Sequence, residues 1–311
     1  MKCKASSLAV GKRISLVCLS IIATFFLRGS SRAQQPSFDW TPIGAAIGKP
    51  GTVQPDGVYK IGLPRTDLHV KVGDVELKPA LALGSWLAFQ KMAAQTMVMG
   101  DLVLTENEVA PVMAKLQEAG IEITALHNHV LNESPRVMYM HISAHGDALK
   151  LAQSINAALQ LSKTPLTVAA AAQPEQLNLD MKQLDQILGR TGKVNGGVYQ
   201  FAIPRAEKIV DGNMNNESGP IPSSMGLATA INFQPTGSGR AAVTGDFVLI
   251  ASEVNLVIAA LRASGITVTA LHSHMLNDSP HLFFMHFWAN DDSLKLARGL
   301  RNALDRTNSA K

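Results

Sequence analysis

An α+β fold made of two tandem homologous repeats is what this 311-residue chain predicts. Three observations carry it. Gly120 to Ala152 aligns with Gly265 to Ala297 at a constant shift of 145 without gaps, and 19 of 33 positions are identical. Each copy alternates strand-like stretches of period two with helical stretches of period 3.6. Its last two strands are joined by a turn, "LNESP" or "LNDSP", too short for anything but an antiparallel pair. Each copy should therefore form a largely antiparallel sheet with helices on one face, a ferredoxin-like βαββα core plus extra N-terminal strands.

The chain opens on a leader. Lys2, Lys4, Lys12 and Arg13 precede the apolar run "ISLVCLSIIATFFL" (14–27), and Ser31 and Ala33 are small residues spaced for a cut. Residues 1–33 read as a signal peptide cleaved near Ala33, which sends the remainder to the periplasm or outside the cell. The alternative is an uncleaved N-terminal anchor. Val17 is bulky where a lipoprotein signal wants a small residue, so lipid anchoring at Cys18 is not expected. The mature chain holds no second apolar run of spanning length.

Cleavage changes the charge balance. The leader has six basic and no acidic residues, leaving 22 basic against 24 acidic and a formal charge of −2. A nucleic-acid partner loses its main support. Both cysteines, Cys3 and Cys18, leave as well, so the mature chain has no disulfide, thiolate metal site or cysteine nucleophile. About 278 residues remain, which suffices for two cores. We read 34–161 as repeat 1, the Ala/Pro/Gln-rich 162–176 as a linker and 177–311 as repeat 2.

Within repeat 1, "GVYKIGLPR" is a strand bounded by Gly and Pro, and "LHVKVGDVEL" turns about Gly73 as a tight hairpin. Repeat 2 has the polar "IVDGNMNNESGPIPSS" there, which reads as a loop. "TMVMGDLVL" is a buried strand. A helix follows with Val109, Val112, Met113 and Leu116 on one face, a Thr105/Glu108 capping box and Gly120 at C′. Pro111 argues for a late start or a kink. The strands "IEITALHNHV" and "RVMYMHISAH" come next. A closing helix from Asp147 should turn Leu149, Ala152, Ile155 and Leu159 inward.

The histidines carry the chemistry. Strict alternation puts His127 and His129 on one face with Ile121, Ile123 and Ala125. Tyr139, His141 and His145 share a face of the next strand. If residues 132–136 form a five-residue loop, Leu131 pairs with Val137 and His127 lies opposite His141. Three imidazoles so placed can hold a zinc ion, with Glu133 as a catalytic base or further ligand. Repeat 2 has His272, His274, His286 and Asp278 in the matching places, lacks His145 (Asn290 stands there) and adds His281. A register slip of one residue would scatter the set. "MYMH" and "FFMH" put thioethers beside histidines, but Met138 and Met140 alternate away from His141, so copper fits less well than zinc.

Other signals are absent or bland. "GAAIGK" (44–49) lacks phosphate-loop spacing, and there is no G-x-S-x-G, H-E-x-x-H or Rossmann fingerprint, hence no nucleotide cofactor is expected. Arg65 and Arg205 each follow a proline at a strand end and read as solvated or salt-bridged rather than as an anion site.

With "GGVYQFAIPR", "GDLVL", "ALHNHVLNESPRVMYMH" and "MHFWANDDSLKLARGL", the chain resembles the LppY/LpqO family of exported bacterial proteins over essentially its mature length. That resemblance implies export and a duplicated domain of unknown function; it transfers no activity and no site residues. The residues themselves favour a divalent-metal site used for hydrolysis of a small substrate. They leave open a non-catalytic envelope module with the two hairpins packed together, or a small-ligand binding protein.

Overall fold

The computed structural model describes residues 38–167, 176–212 and 219–310, all within one compact unit, Phe38–Lys311. The leader, residues 168–175 of the expected linker and residues 213–218 of the expected loop lie outside the described residues. Repeat 1 runs α1 (Thr41–Ile47), β1 (Thr52–Val53), β2 (Tyr59–Pro64), β3 (Lys71–Val72), β4 (Val75–Glu76), α2 (Pro79–Ala82) and β5 (Gly84–Lys91). It continues with β6 (Thr96–Thr105), α3 (Glu106–Glu118), β7 (Glu122–His127), β8 (Glu133–Ser134), β9 (Val137–Gly146) and α4 (Ala148–Leu159). Repeat 2 runs α5 (Met181–Leu188), β10 (Lys193–Asn195), β11 (Val198–Pro204), β12 (Val210–Asp211), β13 (Ala228–Gly237) and β14 (Arg240–Ile250). It closes with α6 (Ala251–Ala263), β15 (Thr267–His272), β16 (Asp278–Ser279), β17 (Leu282–Asp292) and α7 (Ser293–Leu304).

The fold is α+β, in two repeats. Each repeat builds one antiparallel six-stranded sheet, β1-β2-β5-β6-β9-β7 and β10-β11-β13-β14-β17-β15. Since β6 and β7 both run antiparallel to β9 between them, they are parallel to each other. That is the split β-α-β of a ferredoxin-like core, with the fourth strand (β5) supplied from the N-terminal side.

Helices cover one face of each sheet. In repeat 1, Val112, Leu116, Ala152 and Ile155 close over Leu102, Leu104, Met140 and Ile142. α3 begins at Glu106 despite Pro111, so no late start occurs. Pro111 is the sixth helical residue, so it removes the bond its N–H would have given to the Asn107 carbonyl, and the helix runs through that loss. In α4 it is Leu151, not Leu149, that faces inward beside Ala152, Ile155 and Leu159; Leu149 is exposed. Asp147 caps that helix by accepting from the Lys150 N–H, which sets its rotation.

The other face of each sheet packs against the other repeat. This explains why β6 is buried on both sides along nearly its whole length. Each repeat also sends an arm across its neighbour. The β3–β4–α2 arm brings Val70, Leu77, Leu81 and Leu83 onto Val198, Ala242 and Trp288. It is tied down by hydrogen bonds from Gln234 Nε2 to the Glu76 carbonyl (2.7 Å) and from Gln200 Nε2 to the Ala80 carbonyl (2.7 Å). From repeat 2, Ile209, Ile221, Met225 and Leu227 cross onto Val58, Ala88, Met97 and Met99.

Arg65 and Arg205 anchor the strand ends, and both are buried. All five donors of Arg65 are used. Nε and Nη2 meet Asp67, Nη1 and Nη2 meet Glu108, and Nη1 also donates to the Val103 carbonyl. Arg205 repeats the pattern with Glu207, Glu253 and the Val248 carbonyl. Glu108 also accepts from the Thr105 N–H (2.8 Å), the carboxylate half of the expected capping box, and from the Lys163 N–H. With no donor left over, these arginines are structural.

Removing one partner of such a buried set leaves charges uncompensated, at a cost of about 3–5 kcal/mol. Arg65→Met should therefore lower the urea midpoint by that equivalent. Lys115→Met, which breaks the exposed pair with Glu118, should cost less than about 1 kcal/mol. Equal effects of the two substitutions would refute the assignment.

Candidate metal centre

The histidine strands end where the two sheets face each other. β7 does not alternate strictly, because a β-bulge falls between Ile123 and Ala125. Ile121 and Ile123 accordingly pack into the helix-side core, while Ala125 and His127 turn to the face that meets repeat 2. An inserted residue is how a strand re-aims a side chain beside a functional site. The register differs from the simple hairpin expected: Ala125 lies opposite His141, and His127 opposite Tyr139. Residues 132–136 are not a plain loop either. Glu133–Ser134 pair with Val72 and Lys71 of the arm, which lengthens the connection by two positions. A shift of two preserves the face, so the histidines stay together. Repeat 2 has the same bulge, between Val268 and Ala270.

The six rings form one cluster across the repeats. His127 stacks on His272 (ring centroids 3.5 Å apart), His129 on His286 (3.9 Å) and His141 on His274 (3.8 Å). Within the repeats, His127 and His141 are 5.1 Å apart and His272 and His286 5.0 Å. Three triads bring ligand atoms within 4.8 Å of one another: His127/His129/His141, His127/His272/His286 and His141/His272/His274. Tyr139 backs His129 (3.3 Å) and Phe284 backs His274 (3.4 Å).

Two carboxylates complete the cluster, and sequence reasoning missed both. Asp101 on β6 and Asp246 on β14 lie opposite His141 and His286 in the ladders. Asp101 approaches His129 Nε2 (3.6 Å) and His141 Nε2 (4.0 Å). Asp246 approaches His274 Nε2 (3.4 Å) and His286 Nε2 (3.9 Å). Among the described residues, none of the six Nε2 atoms has a hydrogen-bond partner, nor do Asp101 Oδ1 and Asp246 Oδ1. The available signal was an acid inside the otherwise apolar strands "VMGDLVL" and "VTGDFVL". A mid-strand acid buried on both sides needs a partner.

Backbone groups set the tautomers. His286 Nδ1 donates to the Gly245 carbonyl (2.8 Å) and His127 Nδ1 to the Asn128 carbonyl (3.0 Å). A carbonyl only accepts, so Nδ1 carries the proton and the Nε2 lone pair faces the cluster, as a metal ligand requires. The preceding glycine is needed for close approach: a Cβ at Gly245 would run into the Ala230 carbonyl.

Burial keeps the rings neutral. It lowers His127 to about 4 and His129, His141 and His274 well below their ordinary value; His272 and His286 fall too. Burial raises Asp101 well above the carboxylate range, Asp246 adding to it, and pushes Asp246 up to about 6. His127, His129 and His272 are half-buried, whereas His141, His274, His286 and Asp101 are buried.

The remaining candidates lie elsewhere. Glu133 is half-buried in β8 and belongs to none of the metal-capable triads. Asp278 accepts from the Leu282 N–H (2.6 Å) and meets His281 Nδ1 (2.7 Å), which ties the turn. His145, on the face foreseen for it, sits 3.1 Å from Asp211 of the other repeat.

A family model described as Domain of Unknown Function (DUF1259) matches residues 41–161 and again 182–306. No curated protein matches the chain. Among solved structures, a trimeric bacterial microcompartment shell protein, PduB, is similar at 12% identity over 79% of this chain and 86% of that one. Its TM-score is 0.18, and at that value it carries no argument.

In the metal-stripped protein the shifts link stability to pH. A histidine whose folded pKa lies below its unfolded value of about 6.5 costs stability as pH falls below 6.5, since only the unfolded chain takes up the proton. The raised aspartates act oppositely, adding stability that is lost as pH rises through their folded pKa. Six rings outweigh two carboxylates. Tm should fall by more than about 5 °C from pH 7 to pH 5, and His141→Leu should flatten that slope. A Tm unchanged or rising over that interval contradicts the neutral-ring assignment.

Proposed function

The chain belongs to the DUF1259 family, so its chemistry has to be read from its own side chains, and we propose that it is a divalent-metal-binding protein, with zinc the preferred ion. One observation carries this reading: six imidazoles with partnerless Nε2 atoms form three triads whose ligand atoms lie within 4.8 Å of one another, beside the buried Asp101 and the half-buried Asp246. Nitrogen and oxygen donors without thiolate suit zinc. His127, His129, His141, His272, His274 and His286 would hold it, with Asp101 and Asp246.

The competing reading, a packing module without metal, has the apolar contacts around the cluster in its favour. It leaves the cluster itself unexplained. Each buried polar atom without a partner costs about 1–3 kcal/mol, against a total stability of about 5–15 kcal/mol. A set this size is hard to carry for packing alone.

A bound zinc lowers the pKa of its water toward neutrality, which suits hydrolysis of a small substrate admitted past His127 and His272. Among the described residues no helix is long and apolar enough to cross a membrane. The expected leader and the likeness to LppY/LpqO proteins support a place in the periplasm or outside the cell.

Elemental analysis of the purified chain should find zinc, and His127→Ala/His129→Ala should lose it while keeping its circular dichroism. A chain that stays metal-free, with Tm unmoved by added zinc or copper, would refute the metal reading.

A further inference from the structure

We propose that the cluster is a two-cation centre shared between the repeats, holding two divalent ions and completed by an external oxyanion. This rests on the metal reading and goes beyond it in number, sharing and ligand class.

Donor count comes first. One zinc takes three or four protein ligands, and the cluster offers six Nε2 atoms and two carboxylates. A single ion would leave about half of these buried groups without a partner; two ions use them all. Asp101 attends His129 and His141, and Asp246 attends His274 and His286, so each carboxylate has its own pair of rings.

Sharing follows from the triads. His127, His141 and His272 each belong to two of the three, and two triads draw on both repeats. The three closest histidine–histidine stacks also join one repeat to the other. An ion placed at any cross-repeat triad therefore takes a ligand from its neighbour's set, and the ions cannot bind independently.

Charge gives the ligand class. Two dications against two carboxylates and six neutral imidazoles leave two positive charges in a mostly buried site. Uncompensated charge there is costly. An anion entering between half-buried His127, His129 and His272 removes the excess. A phosphate or phosphoester fits, because paired ions can clamp its oxygens.

Equilibrium dialysis of the stripped full chain against zinc should give two ions per chain. One ion would overturn this proposal while sparing the metal reading; none would overturn both. Loaded with Mn2+, the chain should give an exchange-coupled electron paramagnetic resonance spectrum, and two independent six-line signals would refute sharing. His272→Ala/His274→Ala changes repeat 2 alone, yet should weaken every remaining ion by about 10-fold or more. One ion retained at unchanged affinity contradicts sharing, and should the variant misfold, the Mn2+ spectrum of the unaltered chain decides. Inorganic phosphate should bind the loaded protein and not the stripped one by calorimetry. Failure to bind the loaded form would overturn the oxyanion.

Discussion

Everything distinctive about this molecule depends on the two sheets being pressed face to face. A six-stranded sheet has two faces to cover, and the helices of each repeat cover one. The second face of each finds the other repeat, so β6 and β14 lose water on both sides. Water is also withdrawn from any polar side chain on the inner face, which is why Asp101, His141, His274 and His286 are buried and Asp246 half-buried. Apolar patches on either side of the cluster, around Met225 and Phe284 and around Leu81 and Tyr139, contribute the burial that offsets those polar groups. The arms make the arrangement mutual, since each repeat roofs part of its neighbour's sheet.

Duplication left a near-twofold object whose symmetry is strongest at its centre. The arginine anchors, the capping glutamates, the bulges and the six histidines all recur. Differences collect in the residues around the rings. Thr269 Oγ1 donates to the His129 carbonyl (2.5 Å), whereas in the first copy Asn128 reaches across to the Thr269 carbonyl. Tyr139 stands where Phe284 does, and its hydroxyl donates to the Ala82 carbonyl, a bond the phenylalanine cannot make. A shared centre constrains both copies at once; a rim does not.

Much of this was legible in the chain. The gapless repeat, the α3 cap at Thr105 and Glu108 and the Gly73 hairpin can be read locally, because turn chemistry and period are local. The histidine set was legible as to residues but not as to geometry. Nothing in "IEITALHNHV" announces a bulge, since the extra residue, Thr124, is an ordinary strand former. Nor could alternation show that His127 would meet His272, a contact between surfaces that only packing brings together. The aspartates were the recoverable miss. An acid flanked by Gly and by at least four apolar residues in both copies should raise the question of its partner.

The glycine before each aspartate shows how far the site reaches into the backbone. Gly245 has no Cβ, so β14 can close on the Ala230 carbonyl of β13. With the strand drawn in, the Gly245 carbonyl accepts from His286 Nδ1. That bond assigns the proton to Nδ1 and leaves the Nε2 lone pair facing Asp246 and the cluster. Gly100 is also enclosed, by Leu87 and the Trp86 carbonyl, though less tightly, and stands beside Asp101. Any larger residue there would push the strand outward, tilt the imidazole and move the carboxylate in one step. The Gly-Asp pair is therefore a single device in which the first residue orients the ring and the second places a carboxyl group in the space the ring faces.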